Sequence, residues 1–379
     1  MRTAGMHGGP RAQRLCWGVV ESTPVNTMSS HSLRLRLATT GLLAALLAIG
    51  PLVAAPAVAD PGIEWVTVGD PGNAADPASG RGAVAGEFQI SKHEVTVGQY
   101  AAFLSAVAAS DPHGLWHGGQ KIVRRGQAGA FTYAAHKVHE REPVMYVTFL
   151  DCLRFANWLH HVQSDPAASE PAKSPDDAAR LTETGAYALA AGGGLAARQP
   201  DARAWIPTED EWYKAAYHHP HTAGGPPSHY WRFATRSDAI PALGKPGDTA
   251  ANLANFLADA TPQANGGVLR GYHNVMPVGS FPGAASHYGT LDQAGNAWEW
   301  VETTVFDTQR VIRGGSMCAT YEKLLPRVRS NASPTRRYPD TGFRVARAVP
   351  PEAPPPAVPP PAAPPPAVPP PAVPPPAAG

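Results

Sequence analysis

Redox or soft-metal chemistry in this chain would have to run through few sulfur atoms. The three cysteines, Cys16, Cys152 and Cys318, form no C-x-x-C pair and are too few for a disulfide framework or a tetrahedral zinc site. Cys318 follows Arg313-Gly314-Gly315-Ser316-Met317, and five residues beyond it stands Lys323. A single thiolate binds a soft ion such as Cu(I) weakly, and Met317, as a neighbour on an extended chain, would face the other way. Hard-cation chemistry has a better candidate in Asp292-Gln293-Ala294-Gly295-Asn296-Ala297-Trp298-Glu299, where two carboxylates flank a glycine turn whose carbonyls can point inward. The competing role for Glu299 is to cap a turn or pair with an arginine. Histidines are densest at His218-His219-Pro220-His221, with His229 nearby; neutral imidazoles there could hold iron, copper or zinc. Proline beside them breaks helical spacing, and polar loop residues are the simpler account.

These residues need elements to hold them. The middle of the chain, from Ile63 to Val349, is rich in Gly, Pro and Trp with few long periodic helices, which predicts an irregular, loop-rich α+β domain. Two helices are readable. Val97–Val107 places Tyr100, Phe103, Leu104 and Val107 on one face, and residues 148–161 place Phe149, Cys152, Phe155 or Ala156, and Leu159 likewise. Cys152 is thereby read as a small core residue; a disulfide from it to Cys318 stays open, because sequence does not set the distance between them. In Pro207-Thr208-Glu209-Asp210-Glu211-Trp212, Thr208 is an N-cap with Glu211 three residues on, so these carboxylates are structural and Trp212 is core. The stretch 164–203 is predicted to be a surface connection with a short strand at 185–189.

The ends differ from the middle. From Met28 an Arg-bearing start, an apolar run near Leu42–Ala55 and Ala57-Val58-Ala59 before Asp60 form a signal-peptide pattern, so residues 1–59 are read as an export region. Residues 1–27 lack pattern, and Met28 is the expected initiator, which would remove Cys16. The run is broken by Gly50-Pro51 and falls short of a spanning helix, so no membrane span is expected to survive cleavage. The predicted location is extracytoplasmic, secreted or envelope-associated. Residues 60–349 form the folded domain, and 350–379 form a proline-rich tail that favours extended polyproline II as a spacer or as a ligand for a proline-recognising domain. Thirty-one basic against thirty acidic residues, with no cationic stripe, exclude an electrostatic nucleic-acid footprint.

Four blocks then occur in order: Ser91-Lys92-His93-Glu94-Val95-Thr96 leading into Tyr100 and Phe103; Pro143-Val144 through Asn157-Trp158-Leu159; Ile206 to Trp212; and Gly295-Asn296-Ala297-Trp298-Glu299-Trp300, followed by Arg313-Gly314-Gly315-Ser316 and Gly342-Phe343-Arg344. Together they resemble the formylglycine-generating enzyme, or sulfatase-modifying factor, family over essentially all of 63–348. The resemblance implies a loop-rich variant of the C-type lectin fold with bound calcium. It puts calcium on the side chains of Asp292 and Glu299 and the carbonyls of Gly295 and Ala297. A second calcium site would start at Asn252 and the Leu253 carbonyl, but its remaining positions fall on Arg270 and Tyr272, so it is expected to be degraded. The resemblance also implies a catalytic pocket containing Cys318, Ser316 and Trp298, in which family catalysts hold Cu(I) between two thiolates and use O₂ to turn a substrate cysteine into formylglycine. Here the second thiolate is replaced by Lys323, so the oxidase centre is incomplete. The expected role is therefore a calcium-stabilised module that binds a protein or peptide, or a glycan, with formylglycine generation as the alternative. Gln199-Pro200-Asp201 resembles a sugar-binding triplet without its partner motif, and Arg327 and Arg329 either enter a substrate cleft or make surface ion pairs.

Overall fold

A computed structural model of the chain describes residues 61–189, 197–221, 224–257 and 274–350. The export region, Cys16, Arg270, Tyr272 and the proline tail beyond Pro350 lie outside the described residues. The strands are β1 (Trp65–Val68), β2 (Phe88–Ser91), β3 (Ile122–Arg125), β4 (Thr132–Ala135), β5 (Ala204–Trp205), β6 (Trp298–Val305), β7 (Gln309–Arg313), β8 (Ser330–Ala332), β9 (Thr341–Phe343) and β10 (Ala346–Arg347). The helices are α1 (Val97–Val107), α2 (Phe149–Ser164), α3 (Pro175–Glu183) and α4 (Glu209–Tyr217). One sheet runs β1-β2-β10-β5, another runs β8-β7-β6-β9, and β3 and β4 form a separate hairpin. Short strands joined by long ordered connections make this the α+β, loop-rich architecture that the composition predicts.

Helix α1 begins where Thr96 accepts a hydrogen bond from the Gln99 N–H and Gln99 returns one to the Thr96 N–H. Tyr100, Phe103, Leu104 and Val107 are buried, as their spacing predicts. Helix α2 starts from Thr148 and Asp151 in the same reciprocal arrangement and buries Phe149, Cys152, Phe155, Ala156 and Leu159. The two helices meet through aromatic rings. Phe155 lies 6.1 Å from Tyr100, 5.4 Å from Trp158 and 5.3 Å from Phe343, so the β9 strand is sealed against the helical layer. Helix α4 opens with the predicted Thr208–Glu211 capping box, and Trp212 is fully buried.

The stretch 164–203 departs from expectation. It contains α3, whose start is written as Ser174-Pro175-Asp176-Asp177: a serine cap, proline in the first turn and two acids at the positive end. Only Leu181 and Thr182 of this helix are buried, so it lacks the apolar stripe that marks α1 and α2. Tyr187 is fully buried but pairs only as an isolated bridge with Arg198, not within a strand. The buried Asn157 side chain holds this segment, donating to the carbonyls of Thr182 (2.7 Å) and Tyr187 (2.9 Å) and accepting from the Tyr187 N–H (2.7 Å).

Candidate functional site

Strands β6 and β7 deliver both candidate centres. Beyond the end of β7, Gly314 and Gly315 take left-handed φ values of 96° and 78°; a Cβ on Gly315 would lie 2.7 Å from a Leu324 methyl group. The chain then turns through Ser316 and Met317 to Cys318. The fully buried Ser316 hydroxyl bonds to Asp340 at 3.1 Å and accepts the Cys318 N–H at 3.3 Å. Trp298 is buried on β6, opposite Thr341 of β9. Ser316 thus shares a turn with Cys318, and Trp298 is tied to the same Asp340, whose carbonyl accepts its N–H at 2.8 Å. Met317 faces a small apolar cluster with Met145 and Ala297, against which Tyr146 and Cys318 pack. Lys323 is exposed in a 3₁₀ turn, Tyr321–Leu324. Cys152 is free and buried, so it is not joined to Cys318. The Cys152 thiol donates to the Thr148 carbonyl at 3.2 Å, and burial pushes its pKa well up. It is a core residue, as its place on the helical stripe predicts.

The second centre is a charge cluster in which Glu94, Glu299 and Arg344 are buried and Asp292 is half-buried. Arg344, two residues before β10, gives Glu299 a two-pronged bridge, Nε to Oε2 at 2.6 Å and Nη2 to Oε1 at 2.8 Å. Its other N–H groups reach the carbonyls of Ser91 (2.9 Å), Lys92 (3.2 Å) and Leu291 (2.9 Å). Glu299 also accepts the Trp212 indole N–H at 2.7 Å. The arginine partner considered for Glu299 therefore exists and engages both of its carboxylate oxygens. Two more carboxylates crowd in. Asp292 accepts the Gly279 N–H at 2.7 Å. Glu94 accepts from Asn296 at 3.1 Å through one oxygen, while its other oxygen is buried without a partner among the described residues. Burial first, then repulsion from Asp292 and Glu299, pushes the Glu94 pKa well above the usual carboxylate range; burial also raises Asp292. Three carboxylates, two of them buried and Asp292 half-buried, against one guanidinium leave a deficit of positive charge that a proton or a hard cation would fill. On charge and donor type the residues fit calcium, with Asp292, the Gly295 and Ala297 carbonyls, and whatever capacity Arg344 leaves to Glu299 available to hold it.

Sequence reasoning overlooked two residues here. Glu94 lies about two hundred positions from its neighbours, and Asn296 acts as a crosslink. The Asn296 amide donates to Glu94 and accepts from Asn255 Nδ2 (3.1 Å) and from the Met276 N–H (3.0 Å). The motif itself was the available signal for Asn296, since a polar residue between Gly295 and a buried strand has to spend its side chain indoors.

The remaining candidates are dispersed. Asn252 takes a left-handed φ of 58°, and its side chain locks a turn by accepting from Thr235 at 2.6 Å and donating to the carbonyls of Ala239 and Ile240. Leu253 is buried against Phe281 and Met276. His218 bonds to the Tyr288 hydroxyl at 2.7 Å, and His219 accepts the Trp231 indole N–H at 3.1 Å. No group of three or more His, Cys, Asp or Glu side chains among the described residues is arranged to hold a metal. Gln199 to Asp201 form a turn at the surface. Arg329 pairs with the buried Glu209 at 2.7 Å, and Arg327 lines an open groove of about 500 Å³ with Trp231, Arg232 and Asp238. No helix among the described residues is long and apolar enough to cross a membrane.

Farther along β6, Glu302 shares Arg198 with Glu211, at 3.6 and 3.2 Å. Burial is the main cause that raises the Glu302 pKa to about 7, with Arg198 opposing it. A carboxyl held up in the fold binds its proton more tightly folded than unfolded. Its contribution is therefore complete below the ordinary carboxylate range and is lost as pH climbs toward 7. Glu302→Gln should flatten the fall of unfolding free energy across that window, by up to about 1.4 kcal/mol per pH unit. Urea unfolding between pH 4.5 and 8 reads this; an unchanged slope would place the titration elsewhere.

Residues 66–349 match the model of the sulfatase-modifying factor enzyme 1-like domain, FGE-sulfatase. Among characterised relatives, the formylglycine-generating enzyme of Mycobacterium tuberculosis is 30% identical over 243 residues, 62% of this chain and 70% of that protein. The hercynine oxygenase of Mycolicibacterium smegmatis is 29% identical over 199 residues, 46% of this chain but only 38% of that protein. Among solved structures, CarF is 22% identical, with a TM-score of 0.46 over 76% of this chain and 100% of its own. PvdO from Pseudomonas aeruginosa is 21% identical, with a TM-score of 0.39 over 76% of this chain and 92% of its own.

Proposed function

Because the chain belongs to the FGE-sulfatase family of sulfatase-modifying factor enzyme 1-like domains, we propose that it keeps the family's scaffold without the family's oxidase centre and works as an exported, calcium-stabilised module that binds a protein or peptide ligand. The observation that carries this reading is Lys323. A thiolate pair needs a second sulfur five residues after Cys318, and the side chain at that position is a solvent-exposed ammonium. An ammonium donates hydrogen bonds and cannot ligate a soft ion. Ser316 and Trp298 do not argue the other way, since hydrogen bonding and strand pairing already account for both.

Open grooves support a binding role. Besides the one beside Trp231, a groove of about 600 Å³ runs along His93, Gln99, Glu140 and Arg141, and its mixed charges suit a polar peptide or a glycan better than an apolar ligand. The signal-peptide pattern before Asp60 supports a location outside the cytoplasm, and the composition of the proline-rich tail suits a spacer. The second reading, formylglycine generation, is favoured by the likeness to the mycobacterial enzyme.

One experiment separates them. A C-x-P-x-R peptide is incubated with the purified chain, Cu(I) and O₂, beside a Cys318→Ala control, and its mass is followed. The binding reading expects no aldehyde product from either protein. Conversion by the unaltered chain that vanishes in the control would overturn it and make this an oxidase acting through one cysteine.

A further inference from the structure

The His219 imidazole is walled in on three sides. The residue is 7% exposed, its ring lies 4.3 Å from the His287 ring, and it meets the Trp231 ring edge to face at 5.7 Å. A Cβ added to Gly225 would stand 2.5 Å from His219 Cδ2, so the chain at Gly225 closes the third side. The Trp231 indole N–H donates to His219 Nδ1 at 3.1 Å. An indole N–H can only donate, so Nδ1 presents its lone pair and the neutral imidazole carries its proton on Nε2. Trp231 is half-buried and lines the open groove together with Pro226, Tyr230, Arg232, Asp238 and Arg327. This one hydrogen bond therefore sets where a wall of the groove stands.

Nδ1 is also the atom at which His219 takes up a second proton. A protonated imidazole has an N–H on both nitrogens, so Nδ1–H and the indole N–H would face each other, donor against donor, and the bond is lost. Between His287 and Gly225 the imidazole has little room to turn aside, whereas Trp231 borders the groove. The Trp231 main chain is held by its N–H to the Tyr217 carbonyl at 2.9 Å, so the side chain is the part that yields. The charged and titratable groups acting on His287 and on the neighbouring His218 are Lys214, His229 and Arg236 on the cationic side and Asp70 on the anionic side.

We propose that His219 is a proton-operated latch on Trp231, closed in neutral solution and released in acid, so that the groove presents a different wall in each. The latch concerns the response of the groove to pH and stands whatever ligand the groove takes.

The test follows the Trp231 indole N–H of the full chain by proton–nitrogen NMR from about pH 8 to about pH 5, the range in which an ordinary imidazole changes charge. Trp231→Phe identifies the signal by removing it, and the other indole signals report that the fold is intact. The signal should move upfield as pH falls, the direction expected when a hydrogen bond is lost. His219→Asn puts an amide oxygen near the place of Nδ1, an acceptor that does not titrate, and should hold the signal at its neutral-pH position throughout. A signal that stays still in the unaltered chain, or that moves as before in His219→Asn, overturns the assignment. Movement that disappears in His287→Gln but persists in His219→Asn gives the proton to His287 and overturns it equally.

Discussion

Arg344→Met is expected to remove about 3–5 kcal/mol of stability, the loss typical of a buried ion pair broken from one side. The substitution fills much of the same volume but takes away all five N–H donors, leaving Glu299 with only the Trp212 indole, the Lys92 carbonyl with only the Leu291 N–H, and the Ser91 and Leu291 carbonyls without the guanidinium. A margin of about 5–15 kcal/mol is usual for a folded domain, so the variant should sit close to unfolding at 37 °C. Its pH dependence carries the diagnosis. Arg344 lowers the pKa values of Glu94 and Asp292 in the folded state, so removing it raises both further above their unfolded values. Groups raised in this way stabilise the fold while protonated and withdraw that support as pH rises. The deficit relative to the unaltered chain should therefore be smaller near pH 5 than near pH 8, and Glu299→Gln added to Arg344→Met should recover part of it. Urea denaturation at the two pH values checks the claim. A deficit independent of pH would mean that Arg344 acts through its carbonyl contacts and not through charge.

What the sequence disclosed followed the range of the interactions. Helices α1 and α2 were legible because apolar and aromatic residues recur at helical spacing, and the start of α4 was legible in a threonine with its capping glutamate three residues on. The α+β, loop-rich class was legible in the scarcity of longer periodic segments. Helix α3 was not, since only two of its residues are buried and its start signal had no apolar stripe to support it. The charge cluster lies at the far end of this scale. Glu94 and Arg344 come together because β2 and β10 pair with Ile90 opposite Ala346, a register that no spacing in the chain reveals. Motif reasoning located Asp292 and Glu299, but whether Glu299 is free for a cation depends on a residue 45 positions away.

The same turn supplies the other large effect, at a residue with no side chain. Gly295 holds a φ of 93°, and a Cβ added there would stand 2.1 Å from the Asn255 carbonyl oxygen and 2.9 Å from its carbon. Both obstacles are backbone, so no rotamer change relieves them. Room for a methyl group requires segment 253–255 to withdraw from 295–296, which breaks the Asn296 N–H to Asn255 carbonyl bond of 2.7 Å and separates the amide pair between the same residues. Gly295→Ala should thus cost more than about 3 kcal/mol, from left-handed strain, overpacking and lost buried hydrogen bonds together. Gly289→Ala separates these causes. Gly289 has a similar φ of 89°, but its added Cβ would meet only a Val66 methyl group at 3.6 Å, an ordinary contact. Strain alone then predicts a loss of about 1–3 kcal/mol. Urea unfolding of the two variants side by side measures the difference. Equal losses would mean that segment 253–255 has slack to move and that the close approach at Gly295 does not hold Asp292 and Glu299 in place; a markedly larger loss at Gly295 would make that approach the feature that fixes the spacing of the charge cluster.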